Sequence, residues 1–382
     1  MPFGPPIHRQ NRPVPHEWIF PWGKNRTGQI VQNADQTARV RISHRDGNAQ
    51  PGFRFAHLRP RLHIRRHHPF KSHIPGQAVS RMFNRMIVAM LPVVPKGIIR
   101  KVSRRYIAGD HLADAIGTAA RLEQQEKAWS TIDVLGEFVQ ERAVALKSKV
   151  ESLDVLDAIK SKQLQGAAGL SLKPTSLGLG IDEDFGTDNI REVVSRGRDL
   201  GIFVNIDMEN SPYTDATLRA FRKLREEGFT NVGVVIQAML RRSEDDVRSL
   251  AGYKPTVRLC KGIYKESRAI AFGDREEVRA NYRKLLRMMV DGGFYPAIAT
   301  HDDPLIDDAR VLIRERGLKG DQYEFQMLLG VRENVRRRIL ADGHHLRVYV
   351  PFGADWYGYS TRRLKENPEM AGMIAKAVLL GK

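Results

Sequence analysis

From residue 131 onward the apolar positions follow a two-part rhythm. Short runs with strand character lie at 131–137, 170–173, 203–207, 232–237, 257–261, 296–301, 324–328 and 346–350. Between them lie stretches in which apolar residues recur every three or four positions, among them 190–200, 215–227, 275–291, 305–316 and 332–341. Eight strands, each followed by a helix, over about 250 residues predict an α/β fold of one kind, a parallel (βα)8 barrel of the TIM type. A doubly wound sheet alternates in the same way but uses fewer strands and a glycine fingerprint. The one candidate, Gly178-Leu-Gly180, has Glu183 where the third glycine belongs, so that fingerprint fails. Ahead of the barrel 112–127 reads as a further helix. The pattern thus divides the chain into a barrel at 129–382, a helical segment at 82–128 and an extension at 1–81.

Period two along a strand separates its two faces. Leu170 and Leu172 lie opposite Ser171 and Lys173, Val204 and Ile206 opposite Asn205 and Asp207, and Val257 and Leu259 opposite Arg258 and Cys260. Glu324, Gln326 and Leu328 share a face, as do Arg347 and Tyr349. The side packed on helices must be apolar, so the polar set is expected to point into the barrel. A barrel interior is ordinarily Val, Ile and Leu, and burying Lys173, Asp207, Arg258, Glu324 and Arg347 is costly unless they are paired. Two acids and three bases nearly balance, which leaves room for a self-satisfied ion-pair network. The surplus positive charge, and the C-terminal strand-end positions of Lys173, Asp207, Gln237 and His301, favour an active site for an anionic ligand.

Composition alters this picture mainly at the N-terminus. The 382 residues are 42% hydrophobic and 28% charged, which excludes collagen-like, disulfide-framework and wholly disordered chains. The single cysteine, Cys260, cannot form an internal disulfide, and nothing suggests an oxidising compartment. No apolar run approaches the roughly 20 residues of a spanning helix, and no signal-peptide pattern follows Met1. The expected address is the cytoplasm. The net charge of +18 is concentrated early: residues 1–81 carry 14 Lys+Arg against 3 Asp+Glu, 82–106 carry 6 against none, and the rest 42 against 41. Residues 1–81 also hold 8 of 12 histidines and 10 of 19 prolines, without sustained periodicity. Such a stretch suits a nucleic-acid-binding arm. Its polarity and proline content favour instead a disordered tail, or sequence upstream of a start at Met82 or Met86. No nucleic-acid partner is expected. The next segment places Lys96, Arg100, Lys101, Arg104 and Arg105 on a helical stretch. A basic amphipathic helix can lie on an anionic membrane, here the inner face of the cell membrane, or pack on its own domain; both readings stay open.

Candidate chemistry gathers after the last strand. Arg362 and Arg363 are adjacent, with Tyr359 and Glu366 about one helical turn away on either side. Two guanidinium forks can clamp a carboxylate, and a Glu can hold one of them in place. Other classes find little support. Cys260 has no evident base partner, His344-His345 lacks acidic neighbours at ligand spacing, and no nucleophile elbow or Walker loop occurs. No metal is expected.

Seven blocks carry a further signal: Ser171-Leu-Lys-Pro-Thr-Ser-Leu-Gly178, Val204-Asn-Ile-Asp-Met-Glu209, Gly233-Val-Val-Ile-Gln237, Val257-Arg-Leu-Cys-Lys-Gly-Ile-Tyr264, Ala299-Thr-His301, Tyr323-Glu-Phe-Gln-Met-Leu-Leu-Gly330, and Arg347-Val-Tyr-Val-Pro351 continuing to Glu366. In this order they resemble the proline dehydrogenases, specifically the single-function bacterial type, whose barrel also occurs in proline utilisation proteins. The likeness runs from about residue 82 to the C-terminus; 1–81 match nothing in the family. It implies FAD across the barrel mouth, touching Met208, Gln237, Arg258, Lys261, Gly262, Ile263, Thr300 and His301. It implies L-proline surrounded by Lys173, Asp207, Tyr264, Leu328, Tyr349, Tyr359, Arg362, Arg363 and Glu366. The implied reaction is hydride transfer from proline C5 to flavin N5, giving 1-pyrroline-5-carboxylate, with electrons passing on to a quinone. Asp207 and Arg258 are then the expected catalytic residues, Arg258 offsetting charge on the reduced flavin and Asp207 and Lys173 orienting one another. Two departures stand out: Pro174 follows Lys173 where the family usually has Leu, and Ile263 replaces a usual Ala, which is expected to narrow the pocket. The competing readings are another barrel flavoprotein of the folate-reductase type and a nucleic-acid-binding protein acting through 1–81.

Overall fold

A computed structural model describes residues 96–366. The expected extension at 1–81 lies outside the described residues.

Eight strands form the sheet: β1 (Trp129–Val134), β2 (Ala168–Leu172), β3 (Val204–Ile206), β4 (Val232–Gln237), β5 (Thr256–Cys260), β6 (Tyr295–Ala299), β7 (Glu324–Leu328) and β8 (Leu346–Phe352). Each pairs in parallel with its successor, and β8 returns to β1 with Trp129 opposite Arg347, closing the barrel. The helices are α1 (Lys96–Ser103), α2 (Leu112–Arg121), α3 (Arg142–Ser161), α4 (Glu183–Leu200), α5 (Thr214–Glu226), α6 (Ser243–Leu250), α7 (Arg275–Asp291), α8 (Asp303–Arg316), α9 (Glu333–Ala341) and α10 (Trp356–Glu366).

Two helices, α4 and α7, combine a side-chain cap with a buried apolar stripe. Asp274 accepts hydrogen bonds from the Glu276 and Glu277 amides at the start of α7, and the helix buries Tyr282, Leu285, Leu286 and Met289. Asp182 caps α4, which buries Ile190, Val193, Val194 and Gly197 at the same spacing and ends at Gly201, whose φ is +71°. These stripes meet the outward strand residues Val204, Ile206, Val257 and Leu259, all without solvent exposure. The main apolar core is therefore the layer between sheet and helices. Inside the sheet the expected polar residues stand together.

Strand and helix bounds depart from the sequence pattern where the backbone intervenes. β1 stops at Val134 because Gly136 and Phe138 adopt φ of +152° and +57°, although the apolar pattern continues. The stretch 112–127 is α2 followed by a π turn, Leu122–Glu126, and it closes at Lys127 with φ of +57°. β6 ends at Ala299, so Thr300 and His301 lie in the loop beyond it.

The segment at 96–109 packs on the barrel. Ile99 and Tyr106 are buried, the Ala108 amide donates to the Pro351 carbonyl, and the Gly353 amide donates to the Gly109 carbonyl. Arg100, Lys101, Arg104 and Arg105 remain exposed. Among the described residues no helix is long and apolar enough to cross a membrane.

Candidate active site

The C-terminal strand ends enclose a cavity of about 640 Å3, within the usual range for small-molecule sites. Asp207, Met208, Gln237, Arg258, Lys261, Gly262, Ile263, Thr300 and His301 line it. So do Lys173, Tyr264, Leu328, Tyr349 and Tyr359. The side chains of Arg362, Arg363 and Glu366 lie outside the described residues; their backbone belongs to α10, which follows β8 directly.

Local structure explains these placements. Gly262 has φ of +101°, and a Cβ there would sit 2.5 Å from the Met239 side chain, so the turn after β5 needs glycine. Pro174 opens the short 3-10 turn Pro174–Leu177, where no amide donor is required, and Lys173 before it has the extended conformation that proline imposes. The turn thus accommodates this departure from the family. Ile263 stands on the rim and is half exposed.

Asp207 sits just past β3 yet stays tied to the ladder, its amide donating to the Leu172 carbonyl over 2.8 Å. Its Oδ1 accepts from Ser171 Oγ at 2.7 Å, Asn205 Nδ2 at 3.3 Å and Arg258 Nη1, and its Oδ2 accepts from Tyr349 OH at 2.8 Å. Arg258 also donates from Nη1 to Ser171 Oγ at 3.1 Å and from Nε to Gln326 Oε1 at 2.7 Å. Deeper in, Glu324 takes both Arg347 Nε and Nη2, at 2.8 and 2.9 Å. The interior charges are therefore paired and, at the mouth, also face a cavity.

One expectation is corrected. Lys173 does not pair with Asp207; its Nζ bonds Asp133, on β1. Asp133 is opposite Ser171 in the ladder, which brings Lys173, two residues on, alongside it. The Asp207 oxygens already have four donors. Burial, reinforced by Asp207 nearby, pushes the Asp133 carboxyl up to about 6 against the pull of Lys173. Burial disfavours the Lys173 ammonium, but Asp133 and Asp207 outweigh it and hold the pKa above its ordinary value. Burial, together with the same two carboxylates, drives the Tyr349 hydroxyl well upward.

Sequence reasoning passed over three acids here. Asp133 was signalled by sharing a face with Thr131. Glu209 is two residues beyond Asp207, 1% exposed, and accepts from the Thr175 amide at 2.8 Å and Thr175 Oγ1 at 2.6 Å. Thr175 Oγ1 in turn accepts from the Phe138 amide, so Glu209 ties the loops after β1, β2 and β3 together. Asp302 gathers Lys261 Nζ at 2.8 Å, Arg279 at 2.6 and 3.1 Å and Arg275 at 3.4 Å. Burial would raise its pKa, but Arg279 and Lys261 hold it well below the carboxylate range. No sequence signal links Asp302 to cations on two other elements. His301 Nε2 accepts from the Leu328 amide at 2.9 Å, and burial pushes the Cys260 thiol up to about 11, leaving it inert at neutral pH. Among the described residues no group of His, Cys, Asp or Glu is arranged to hold a metal.

Glu209 gives a pH prediction. Burial, opposed by the Thr175 bonds, raises its carboxyl from 4.5 to about 7. Between those values the folded chain keeps a proton that the unfolded chain has lost, so stability falls as pH rises toward 7. The fall from this group is about 3 kcal/mol. Urea unfolding at pH 5 and 7.5 should show a fall in the parent that exceeds the fall in Glu209→Gln by about 2 kcal/mol, Asp133 contributing to both; parallel changes in both would remove Glu209 as the source of the difference.

Residues 115–376 match the family model described as proline dehydrogenase. Proline dehydrogenase 1 of Bacillus subtilis is 37% identical over 277 residues, covering 72% of this chain and 90% of that protein. Proline dehydrogenase 2 of the same organism is 39% identical over 279 residues, covering 73% and 91%. Among solved structures, proline utilization A from Bdellovibrio bacteriovorus, inactivated by N-propargylglycine, superimposes with a TM-score of 0.68 at 23% identity. That match covers 77% of this chain and 37% of the longer one, and it speaks to the fold.

Proposed function

The chain belongs to the proline dehydrogenase family and is a flavin-dependent oxidoreductase acting on proline, and from that premise we propose that FAD and L-proline meet in the cavity at the barrel mouth. One observation carries this reading. Every candidate cofactor and substrate residue whose side chain is described lines that single cavity. The cavity also fits the group: it has the turn at Gly262, where a Cβ would meet Met239, apolar walls at Met208, Val235 and Leu328, and a buried cation, Arg258.

The bound flavin supplies the acceptor for the hydride leaving proline C5. The chain supplies the rest. Arg362 and Arg363 are assigned to the substrate carboxylate, with Glu366 assigned to hold one of them in place. Tyr264, Leu328, Tyr349 and Tyr359 wall the ring and exclude water. Arg258 places positive charge where electrons arrive, braced by Asp207. The Lys173 ammonium, held charged by Asp133 and Asp207, disfavours a second cation beside it and so favours the neutral proline amine. Met208, Gln237, Lys261, Gly262, Ile263, Thr300 and His301 are assigned to the cofactor, Lys261 being held at the mouth by Asp302. The product is 1-pyrroline-5-carboxylate, the first step from proline toward glutamate.

The purified protein should be yellow, and proline alone should bleach it under anaerobic conditions. Bleaching by a reduced nicotinamide and not by proline would select the folate-reductase type instead. Colour and bleaching that survive deletion of residues 1–81 would place the activity outside the basic extension. We assign the onward acceptor as a membrane quinone, and the location as cytoplasmic with peripheral contact at the inner membrane face. The exposed Arg100, Lys101, Arg104 and Arg105 support this. Co-sedimentation with anionic vesicles should occur at low salt and fall away at high salt; salt-independent failure to bind would remove the membrane assignment.

A further inference from the structure

One chain of hydrogen bonds crosses the barrel interior. Arg347 donates to the Ser130 carbonyl and clamps Glu324; Glu324 Oε1 accepts from Gln326 Nε2 at 2.5 Å; Gln326 Oε1 accepts from Arg258 Nε; and Arg258 reaches Asp207. Gln326 is the neutral link between two buried ion pairs, one deep in the barrel and one at the mouth. Chemistry at both ends fixes its amide: an ionised Glu324 only accepts, and Arg258 only donates. A carboxylate at this position would face Glu324, and a cation would face Arg258. A side chain that accepts at one end and donates at the other meets both demands.

We propose that Gln326 is a positioning residue for proline oxidation, holding the Arg258 guanidinium in the orientation that presents its charge at the barrel mouth. Arg258 is a long side chain with several rotatable bonds, and its orientation must be fixed from outside. Its Nη1 is held from β2 and the end of β3 by Ser171 and Asp207. Its Nε is held from β7 by Gln326. The second hold is what prevents the guanidinium from turning about the first. Glu324 steadies Gln326 in the same way, being two residues earlier on the same face and itself clamped by Arg347.

The inference rests on the flavin reading above, and its test separates the two. If proline fails to bleach the parent holoenzyme, that reading falls. Given a parent that bleaches, the holoenzymes compared are Gln326→Met, Arg258→Met and the double variant, read by kcat, KM and the midpoint potential of the bound flavin. Methionine keeps the length of glutamine and removes both bonds. Gln326→Met should lower kcat about tenfold, a smaller loss than removing a direct electrostatic contact, with KM nearly unchanged and the potential more negative. In the Arg258→Met background the same change should move neither kcat nor potential. A loss of equal size with and without Arg258, or an unchanged potential, overturns the proposal. Gln326→Glu provides an independent arm should the methionine variant fail to fold. Its protonated carboxyl donates to Glu324 and accepts from Arg258 as the amide does. Turnover should therefore be near parental at low pH and fall as that acid ionises. A pH profile parallel to the parent's overturns the proposal.

Discussion

Arg258→Met is expected to lower kcat on the order of 10²–10³-fold while KM for proline stays within a few-fold. The asymmetry follows from where charge develops. The residues assigned to the proline carboxylate follow β8 whereas Arg258 stands on β5, so ground-state binding is expected to lose little. Positive charge at the mouth matters when electrons arrive at the acceptor, and that contribution is made only in the transition state. The side chain is only 8% exposed, which strengthens its field relative to a solvated cation. Asp207 keeps Ser171, Asn205 and Tyr349 as donors after the substitution, so the site need not collapse. Lysine should restore little, because it cannot reach Gln326, Ser171 and Asp207 with one planar group. Steady-state kinetics, flavin content and thermal midpoint together decide the matter. A rise in KM with intact kcat would move Arg258 into the substrate clamp.

The inward polar face was legible because period two leaves no choice. Once Val204, Ile206, Val257 and Leu259 pack on helices, Asn205, Asp207, Arg258 and Cys260 must turn inward. What period two does not encode is which inward residue meets which. Lys173 lies at a strand end facing several carboxylates, and its choice of Asp133 depends on the register between β1 and β2, a tertiary quantity. The role of Asp302 is further from the sequence still, since its cations come from the end of β5 and from α7. Strand ends were misplaced for a different reason. The apolar pattern of β1 continues past Val134, but a positive φ at Gly136 and Phe138 stops the ladder, and backbone conformation of that kind leaves only the glycine as a trace. Pro174 departs from the family pattern and opens a tight turn in which proline is well suited to the first position. For the Arg362–Arg363 pair the structure gives the backbone position, in α10 after the eighth strand, and its assignment to the carboxylate rests on residue type.

If Arg362 and Arg363 hold the proline carboxylate, replacing either by Met should cut kcat/KM roughly thirtyfold to several-hundredfold, the loss of about 2–4 kcal/mol for a charge-assisted bond to a desolvated anion. Lysine should rescue little, since a point charge does not reproduce a bidentate fork. The flavin should remain bound, because α10 follows β8 whereas the residues assigned to the cofactor come from the ends of β3 to β6. Prolinol separates the clamp from a structural role. It has the same ring and the same C5 but no carboxylate, so the parent should oxidise it poorly and the variants should lose much less with it than with proline. The measurement is a two-by-two comparison of kcat/KM, parent and variant with each substrate, and the coupling between the two changes is the quantity of interest. Equal losses on both substrates would make the pair a packing element of α10 and send the search for the carboxylate partner to Lys173, the remaining assigned cation whose charge is reinforced by its surroundings.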